Sequence, residues 1–598
     1  MEYINLADML FSKREKFPQH PAYEYKKDGR RVTVTCEEAV QLAEKAACGF
    51  ILLGITKGSK IAIISNNRLE WAICDYAALS LGAALVPVYP SLPARQTQYI
   101  LNDSAVKIVI AENELQLEKI DTIRNNLKSA ENFIVFNKPE KDLPESWQLF
   151  SELCDDGAKL LAENSRIIQD SIKKIKRSDP ATVIYTSGTT GEPKGTVLSH
   201  NNFLSNLESV SKVFDCYPED VFLSFLPLSH VLERTAGHFF PVYSGSKIVY
   251  AQSIETVPQD MIETKPTLMI SVPRLYEKMY SRVLDMVETG PALKRRIFYN
   301  AIETGKKYRR RLQSGRPISP MLALKHKIAD ILVYKKLKHR VGGRLRFFVS
   351  GGAPLSAEIG EFFAAAGIII LEGYGLTETS PGISFNKPDD FRFGTVGMPI
   401  PGVEVKIAKD GEILARGDNI MMGYLNKEEE TKEVIDENGW FYTGDIGLID
   451  ANGFLVITDR KKNIIVTSGG KNVAPQPIEN SIINSKYIEQ AVVIGDNRKF
   501  CSAVIVPEKE ALLSWANKEK ISFADYDELL KIKETYQLLE QEIENRTAEI
   551  AAYERIRKIL LVSEPFTLEG GELTPTLKVK RRVIEQKYKD EIDKLYQH

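Results

Sequence analysis

The stretch that decides the fold is Tyr185–Val197, YTSGTTGEPKGTV. A strand-like apolar run, Ala181–Ile184, leads into it. Gly188, Gly191 and Gly195 permit backbone conformations that turn several N–H groups toward one concave side. Thr186, Ser187, Thr189 and Thr190 add short donors, and Lys194 adds a mobile positive charge. These are the parts that hold a chain of phosphates. The Gly-Lys-Ser/Thr ending of a Walker loop is absent, which argues against a P-loop ATPase or kinase. On the residues alone, a Gly/Ser/Thr cluster is more often a solvated loop, so the rest of the chain has to decide.

Upstream, apolar periodicity alternates between helix and strand. Ala39–Leu53 has helical spacing, Lys60–Ser65 is a short apolar strand, and Asn66 and Asn67 are placed to cap a helix running to about Leu81. Ala84–Val88 and Val106–Ile110 are strands again, a βαβ rhythm that predicts a largely parallel sheet covered by helices. Downstream, Asp220–Pro227, Thr267–Ser271, Arg344–Ser350 and Gly367–Leu371 continue the pattern, with a helix at 272–280. From Gly394 to Asp450 short strands alternate with Gly/Pro/Asn/Asp turns, predicting a β subdomain over about 394–458. The charged turn Asp459–Lys462 then opens a segment with its own strands (Gln490–Ile494, Ser502–Val506, Lys558–Val562) and charged helices at about 525–552 and 580–595. The expected organisation is multidomain α/β: a large N-terminal domain, 1–461, of helix-covered, largely parallel sheets plus the β subdomain, then a small mobile α+β domain, 462–598.

Charge is balanced, 79 Lys/Arg against 80 Asp/Glu, so nothing global predicts nucleic-acid binding. The one asymmetry is a basic helical insertion at about 285–342, where residues 291–340 carry many Lys and Arg against only Glu303 and Asp330. Apolar residues interleave there at helical spacing, predicting two basic amphipathic helices. Such helices are either a solvated face packed on the domain or a surface for an anionic membrane or ligand phosphates. Six scattered cysteines (Cys36, Cys48, Cys74, Cys154, Cys216 and Cys501) show no CxxC spacing, which predicts reduced thiols and no zinc site. The first residues lack a signal peptide's apolar centre, and no run reaches the ~18–20 apolar residues of a membrane span. A cytoplasmic protein, peripheral at most at the inner membrane surface and open to homodimerisation, is expected.

Four further strings follow the glycine-rich one. In Tyr374–Thr379, YGLTET, an aromatic face beside a flexible glycine suits a purine, and a hydroxyl and carboxylate one step on suit a phosphate oxygen and Mg²⁺. In Tyr442–Gly447, YTGDIG, a carboxylate in a tight turn can accept both hydroxyls of a ribose, though an Asp-rich hairpin turn is the plainer alternative. Residues 459–479, DRKKNIIVTSGGKNVAPQPIE, hold the turn Gly469-Gly470-Lys471. Residues 573–581, LTPTLKVKR, hold Lys578.

In this order the five strings resemble the adenylate-forming (AMP-binding) superfamily over nearly the whole chain. FLPLSHVLER (225–234), the basic insertion before RLRFFVSGGAPL, and LTPTLKVKRR resemble its long-chain fatty acyl-CoA synthetase branch. Other branches usually place glycine before the terminal lysine; Leu577 stands there in this chain, as in the long-chain branch. The resemblance implies an acyl-CoA synthetase/luciferase-like fold and a two-step ligase using fatty acid, ATP with Mg²⁺, and coenzyme A. The nearest rival is the same chemistry on a medium-chain, aromatic or other carboxylic acid.

Residue by residue, the resemblance implies that Thr186, Ser187, Gly188, Thr189, Thr190, Gly191 and Lys194 hold the β- and γ-phosphates. Thr377 touches the α-phosphate, Glu378 binds the metal, and Gly352, Ala353, Gly373, Tyr374 and Gly375 cradle adenine. Asp445 takes the ribose with Arg460, and His230 lies beside the substrate carboxyl. Lys578 bridges carboxylate and α-phosphate, Lys462 is the hinge, and Gly469-Gly470-Lys471 faces the site after the C-terminal domain rotates. Acyl-tunnel walls are expected at Val231, Leu232, Phe239, Phe240, Val242 and Pro381–Phe385.

Overall fold

The computed structural model describes residues 3–186, 192–567, 570–574 and 579–597. Ser187, Gly188, Thr189, Thr190, Gly191 and Lys578 lie outside the described residues.

Two large sheets form the N-terminal part. The eight-stranded sheet runs in spatial order 423–424, Lys194–Ser199, Pro180–Thr186, Ala84–Val88, Lys60–Ile64, Ile108–Ala111, Asn132–Val135 and Trp147–Leu149. The strand entering the glycine-rich stretch is parallel to Ala84–Val88, and the strand leaving it turns back antiparallel, Thr186 facing Lys194. The nine-stranded sheet has a parallel centre of Ile370–Gly375, Phe347–Ser350, Leu268–Ser271, Val221–Ser224, Lys247–Tyr250 and Pro21–Lys27. Buried apolar residues from strands of both sheets, such as Ile61, Leu85, Phe222 and Ile270, join one core with Phe50, Trp71 and Phe203 of the helices. Helix Cys36–Leu52 is closed at its start by Thr35 and Glu38 in a capping box, satisfying two otherwise orphaned amides.

The expected cap at Asn66 and Asn67 is not made. Helix Leu69–Ser80 starts from Arg68 with no side-chain cap. Asn67 instead crosses between the sheets, donating to the Leu226 carbonyl (2.6 Å) and accepting from the Leu228 amide (2.8 Å). A tertiary partner outcompetes the local one, as Asn side chains allow. Strand Ile370–Gly375 carries Tyr374 and Gly375 as its last residues. The helix expected over 525–552 is broken at Ile532, whose extended backbone lets its side chain pack on the Leu512–Leu529 cluster.

Strands Glu404–Ile407, Glu412–Arg416, Phe441–Ile449 and Leu455–Arg460 form the small antiparallel sheet. After Lys461 the chain makes a short hairpin and a three-stranded sheet (Ile488–Ile494, Cys501–Pro507, Ile556–Leu561) with its own cores. The polar contacts joining this part to the rest include Arg274 to Glu489 (2.9 Å), Arg546 to Glu358 (2.9 Å) and Asn484 to Ser356 (2.8 Å). No described helix is long and apolar enough to cross a membrane.

Candidate active site

A cleft of about 3370 Å³ opens where the two large sheets, the small sheet and the C-terminal part meet. Parallel strands deliver their C-terminal ends to such a crevice, which is why ligand-binding turns collect there. Of the residues singled out from sequence, it brings together Thr186, Lys194, His230, Gly352, Ala353, Gly373, Tyr374, Gly375, Thr377, Glu378, Asp445, Arg460 and Lys462. The far wall includes Gly571, Leu573 and Thr574 and then Val579–Val583, with Leu573 and Val579 paired in an antiparallel bridge. The Gly469-Gly470-Lys471 turn does not line the cleft. Ser468 is tied to the Arg498 carbonyl (2.8 Å), and Lys471 lies over the Tyr553 ring (5.8 Å).

Asp445 is the most constrained of these groups. It sits opposite Arg460 on the neighbouring antiparallel strand, so the pairing itself sets the two charges side by side. Arg460 Nε donates to Oδ1 (2.9 Å), and the Tyr374 hydroxyl donates to Oδ2 (2.7 Å). A carboxylate offers about four acceptor sites, so one remains on each oxygen. Burial, reinforced by Asp445, holds the Tyr374 phenol well above its usual range, so it is a fixed donor. Burial opposes the charge on Arg460, but Asp445, Glu378 and Tyr374 outweigh it and raise its pKa. The turn is anchored behind: Gly444, at φ +71°, donates to Glu412 (2.9 Å), which also receives Lys461 (2.8 Å).

Glu378 rides on a single 3-10 turn, Thr377–Thr379, at the end of the YGLTET string. Its Oε1 accepts from the Tyr424 hydroxyl (2.9 Å), and its carbonyl accepts from the Met421 amide (2.8 Å). The Lys194 ammonium stands over the same Tyr424 ring, 5.0 Å from its centroid. Tyr424 therefore sets a cation and an anion from different sheets around one aromatic ring. It is held there by the two-residue strand 423–424, which pairs with Thr196 and Val197. Neither Tyr424 nor Glu412 was singled out from sequence. MMGYLNK carries no chemical signature, and only the strand pairing reveals its place.

Two glycines are required by geometry. A Cβ on Gly375 would lie 1.5 Å from the Pro381 carbonyl oxygen, and Gly352 has φ +83°. His230 caps the short helix Val231–Glu233, its Nδ1 accepting from the Leu232 amide (3.2 Å), while also lining the cleft. It is thus at once a cap and a cleft residue. Beyond it the walls become apolar, with Leu207, Val210, Phe214, Phe222, Leu232 and Phe240. Of the expected tunnel walls, Phe239 and Val242 are packed in the core, and Val231, Leu232, Phe240, Pro381, Gly382, Ser384 and Phe385 line the cleft.

No group of three or more metal-ligating side chains occurs among the described residues. Glu378 is a cleft carboxylate next to Thr377 in the chain, and it shares Tyr424 with Lys194. One carboxylate suits a Mg²⁺ whose other ligands are phosphate oxygens and water.

A family described as "AMP-binding enzyme" matches residues 10–425, and its "AMP-binding enzyme C-terminal domain" matches residues 462–598. The chain belongs to the AMP-binding enzyme family. Long-chain-fatty-acid--CoA ligase FadD15 of Mycobacterium bovis is 36% identical over 100% of this chain and 97% of its own length. Long chain acyl-CoA synthetase 6, peroxisomal, of Arabidopsis thaliana is 36% identical, covering 96% of this chain and 85% of its own. The adenylation domain of a carboxylate reductase from Mycobacterium chelonae superposes with TM-score 0.76 at 22% identity, covering 99% of this chain and 91% of that one. The anthranilate CoA ligase AuaEII, solved with anthranoyl-AMP, gives TM-score 0.73 at 20% identity, covering 99% and 98%. These likenesses establish the acyl-CoA synthetase/luciferase-like α/β fold.

Proposed function

We propose that this family member is an AMP-forming long-chain fatty acid–CoA ligase. A fatty carboxylate oxygen attacks the α-phosphorus of ATP, the bond to pyrophosphate breaks, and an acyl-adenylate forms. The thiol sulfur of coenzyme A then bonds to the acyl carbon, and AMP leaves. The observation that carries this reading is the convergence of Lys194, Thr377, Glu378, Tyr374, Asp445 and Arg460 on one cleft that continues into an apolar pocket.

The first step brings an anion to a polyanion, so the protein's work is positioning and neutralisation. Lys194, with the hydroxyls and amides of 186–191, holds the β- and γ-phosphates. Asp445 uses its two remaining acceptor sites for the two ribose hydroxyls, with Tyr374 and Arg460 fixing its orientation. Tyr374, with Gly352, Ala353 and Gly373, also cradles adenine. Thr377 meets the α-phosphate, and His230 stands where phosphate chemistry gives way to apolar wall. Mg²⁺ held by Glu378 would neutralise phosphate oxygens. Lys578 would meet the reacting carboxylate and α-phosphate, on the segment between the cleft-lining Thr574 and Val579. Residues 462–598 then turn as a unit about Lys462, withdrawing Lys578 and presenting Gly469-Gly470-Lys471 for the thiol step. Each CH₂ buried is worth about 0.8 kcal/mol, so pocket depth sets acyl length.

The test is AMP release with CoA and a ladder of fatty acids. Turnover peaking at long chains is expected; turnover confined to short or aromatic acids refutes the substrate assignment.

A further inference from the structure

The basic insertion carries an apolar stripe that stands exposed, with none of the described residues covering it. Helix Pro320–Ala329 continues through a π-turn, Asp330–Tyr334, into Lys335–Arg340. Its inward face is set by Ala329, Val333 and Tyr334, which pack with Phe298, Ala301 and Ile302 of helix Ala292–Gln313. On the other face stand Met321 (63% exposed), Leu324 (56%), Ile328 (49%), Ile331 (56%) and Leu332 (46%). Their spacing of three, four, three and one residues makes one continuous stripe along the helix. Lys325 and Lys327 flank it on opposite shoulders, Lys335 and Lys336 continue it, and all four are exposed. Across residues 291–340 there are 15 Lys and Arg against 2 Asp and Glu. The nearby acids are committed elsewhere: Glu361 pairs with Arg310, Asp330 with Lys338 and Glu288 with Arg295. Lys325, Lys327, Lys335 and Lys336 have no ion-pair partner among the described residues.

We propose that this helix docks on an anionic lipid bilayer, with the Met321–Leu332 stripe in the headgroup–acyl boundary and the flanking lysines on lipid phosphates. The combination selects that occupant. An ordinary solvated helix would not expose five large apolar side chains in line. A second copy of the same face would set like charges against one another. A bilayer surface offers apolar depth of roughly 5–10 Å beneath a negative plane, which is what a stripe with lysine shoulders complements. The proposal is independent of the substrate assignment, since it concerns a surface outside the cleft.

The test is co-sedimentation of the full chain with vesicles of equal parts phosphatidylcholine and phosphatidylglycerol, against phosphatidylcholine alone. Binding to the anionic vesicles is expected at roughly 0.1 M salt and its loss near 1 M, where the screening length shrinks about threefold. Two variants are compared, Leu324→Ser/Ile328→Ser/Ile331→Ser and Lys325→Glu/Lys327→Glu. Each should weaken partitioning at least about tenfold with an unchanged melting temperature, the charge variant because each basic residue near such a surface is worth roughly fivefold and the stripe variant because it takes three large apolar side chains out of the boundary. Absence of wild-type binding, or binding by both variants as strong as the wild type's, overturns the proposal. So does a wild-type dimer in sedimentation velocity that the stripe variant converts to monomer without any vesicle binding, which would make a second copy the occupant.

Discussion

Removing one oxygen from the ribose corner tests the proposed site most directly. Tyr374→Phe keeps the ring proposed to cradle adenine and deletes the hydroxyl that donates to Asp445 at 2.7 Å. Both residues are buried, 9% and 5% exposed, so water replaces the donor poorly. A hydrogen bond to a charged acceptor is worth about 1.5–3 kcal/mol, and the unsatisfied carboxylate keeps most of that cost. Arg460, still bonded to Oδ1 and with 48% of its side chain exposed, offers partial compensation, which favours the lower end. About 1.5 kcal/mol is about tenfold. The freed lone pair also lets the carboxylate turn, so its two remaining acceptors no longer match the ribose diol. The loss falls on ATP binding: in ATP–pyrophosphate exchange, KM for ATP should rise roughly tenfold with kcat nearly unchanged, because the ribose interaction is made equally in ground and transition states. Asp445→Asn should be worse, since it leaves Arg460 without its charge partner. An unchanged KM in Tyr374→Phe, or a collapse of kcat at constant KM, would refute the ribose assignment of Asp445.

Other outcomes follow from the same geometry. Tyr424→Phe removes the donor to Glu378 but keeps the ring under Lys194; the Mg²⁺ concentration for half-maximal exchange should shift several-fold, and an unmoved Mg²⁺ titration would count against Glu378 as the metal residue. Lys578→Ala should cost several kcal/mol in adenylation while sparing thioester formation from preformed acyl-adenylate, as for a contact made in one transition state only; equal losses in both steps contradict it. Val210→Trp narrows the apolar wall, so the preferred acid should shorten, with about fourfold lost per methylene excluded; an unchanged chain-length profile argues that acyl chains lie elsewhere. Glu372 is pushed up to about 8 from the ordinary 4.5 by burial, against the pull of amide donors from Leu355 and Gly394. Between those values the folded protein holds a proton the unfolded chain has lost, so stability declines as pH rises through the window and levels off above it. Glu372→Gln keeps an acceptor for Leu355 and should flatten that decline; identical slopes of melting temperature against pH in both proteins exclude the effect.

How much of this was legible in the sequence varies by residue. Residues 61–64, Ala84–Val88 and the strand pattern before Tyr185 announce a parallel sheet because both faces are buried and the runs are apolar. Asp445 and Arg460 stand 15 residues apart, and a hairpin register turns that spacing into contact. Tyr424 was not legible. It becomes part of the site only because a short segment returns to pair with the strand of Lys194, and no local periodicity encodes a return across some 230 residues. Asn67 was read as a cap because its nearest amides are local; its actual partners are more than 150 residues away. Phe239 and Val242 were read as tunnel walls from hydrophobicity alone, which does not tell a pocket lining from the core behind it.

The pairing of Gly423 with Val197 and Tyr424 with Thr196 also governs how the protein can be built. On the ribosome, the strand bearing Lys194 emerges long before the segment that seals its edge, and until then that edge exposes unmatched amides and carbonyls. The nucleotide corner can close only once residues 421–425 have been translated, when Met421 reaches the Glu378 carbonyl and Leu425 reaches the Gly195 carbonyl. A nascent chain stopped near residue 400 would hold most of its core yet lack the clasp that joins Lys194 to Glu378, so nucleotide affinity should arrive late and abruptly during synthesis.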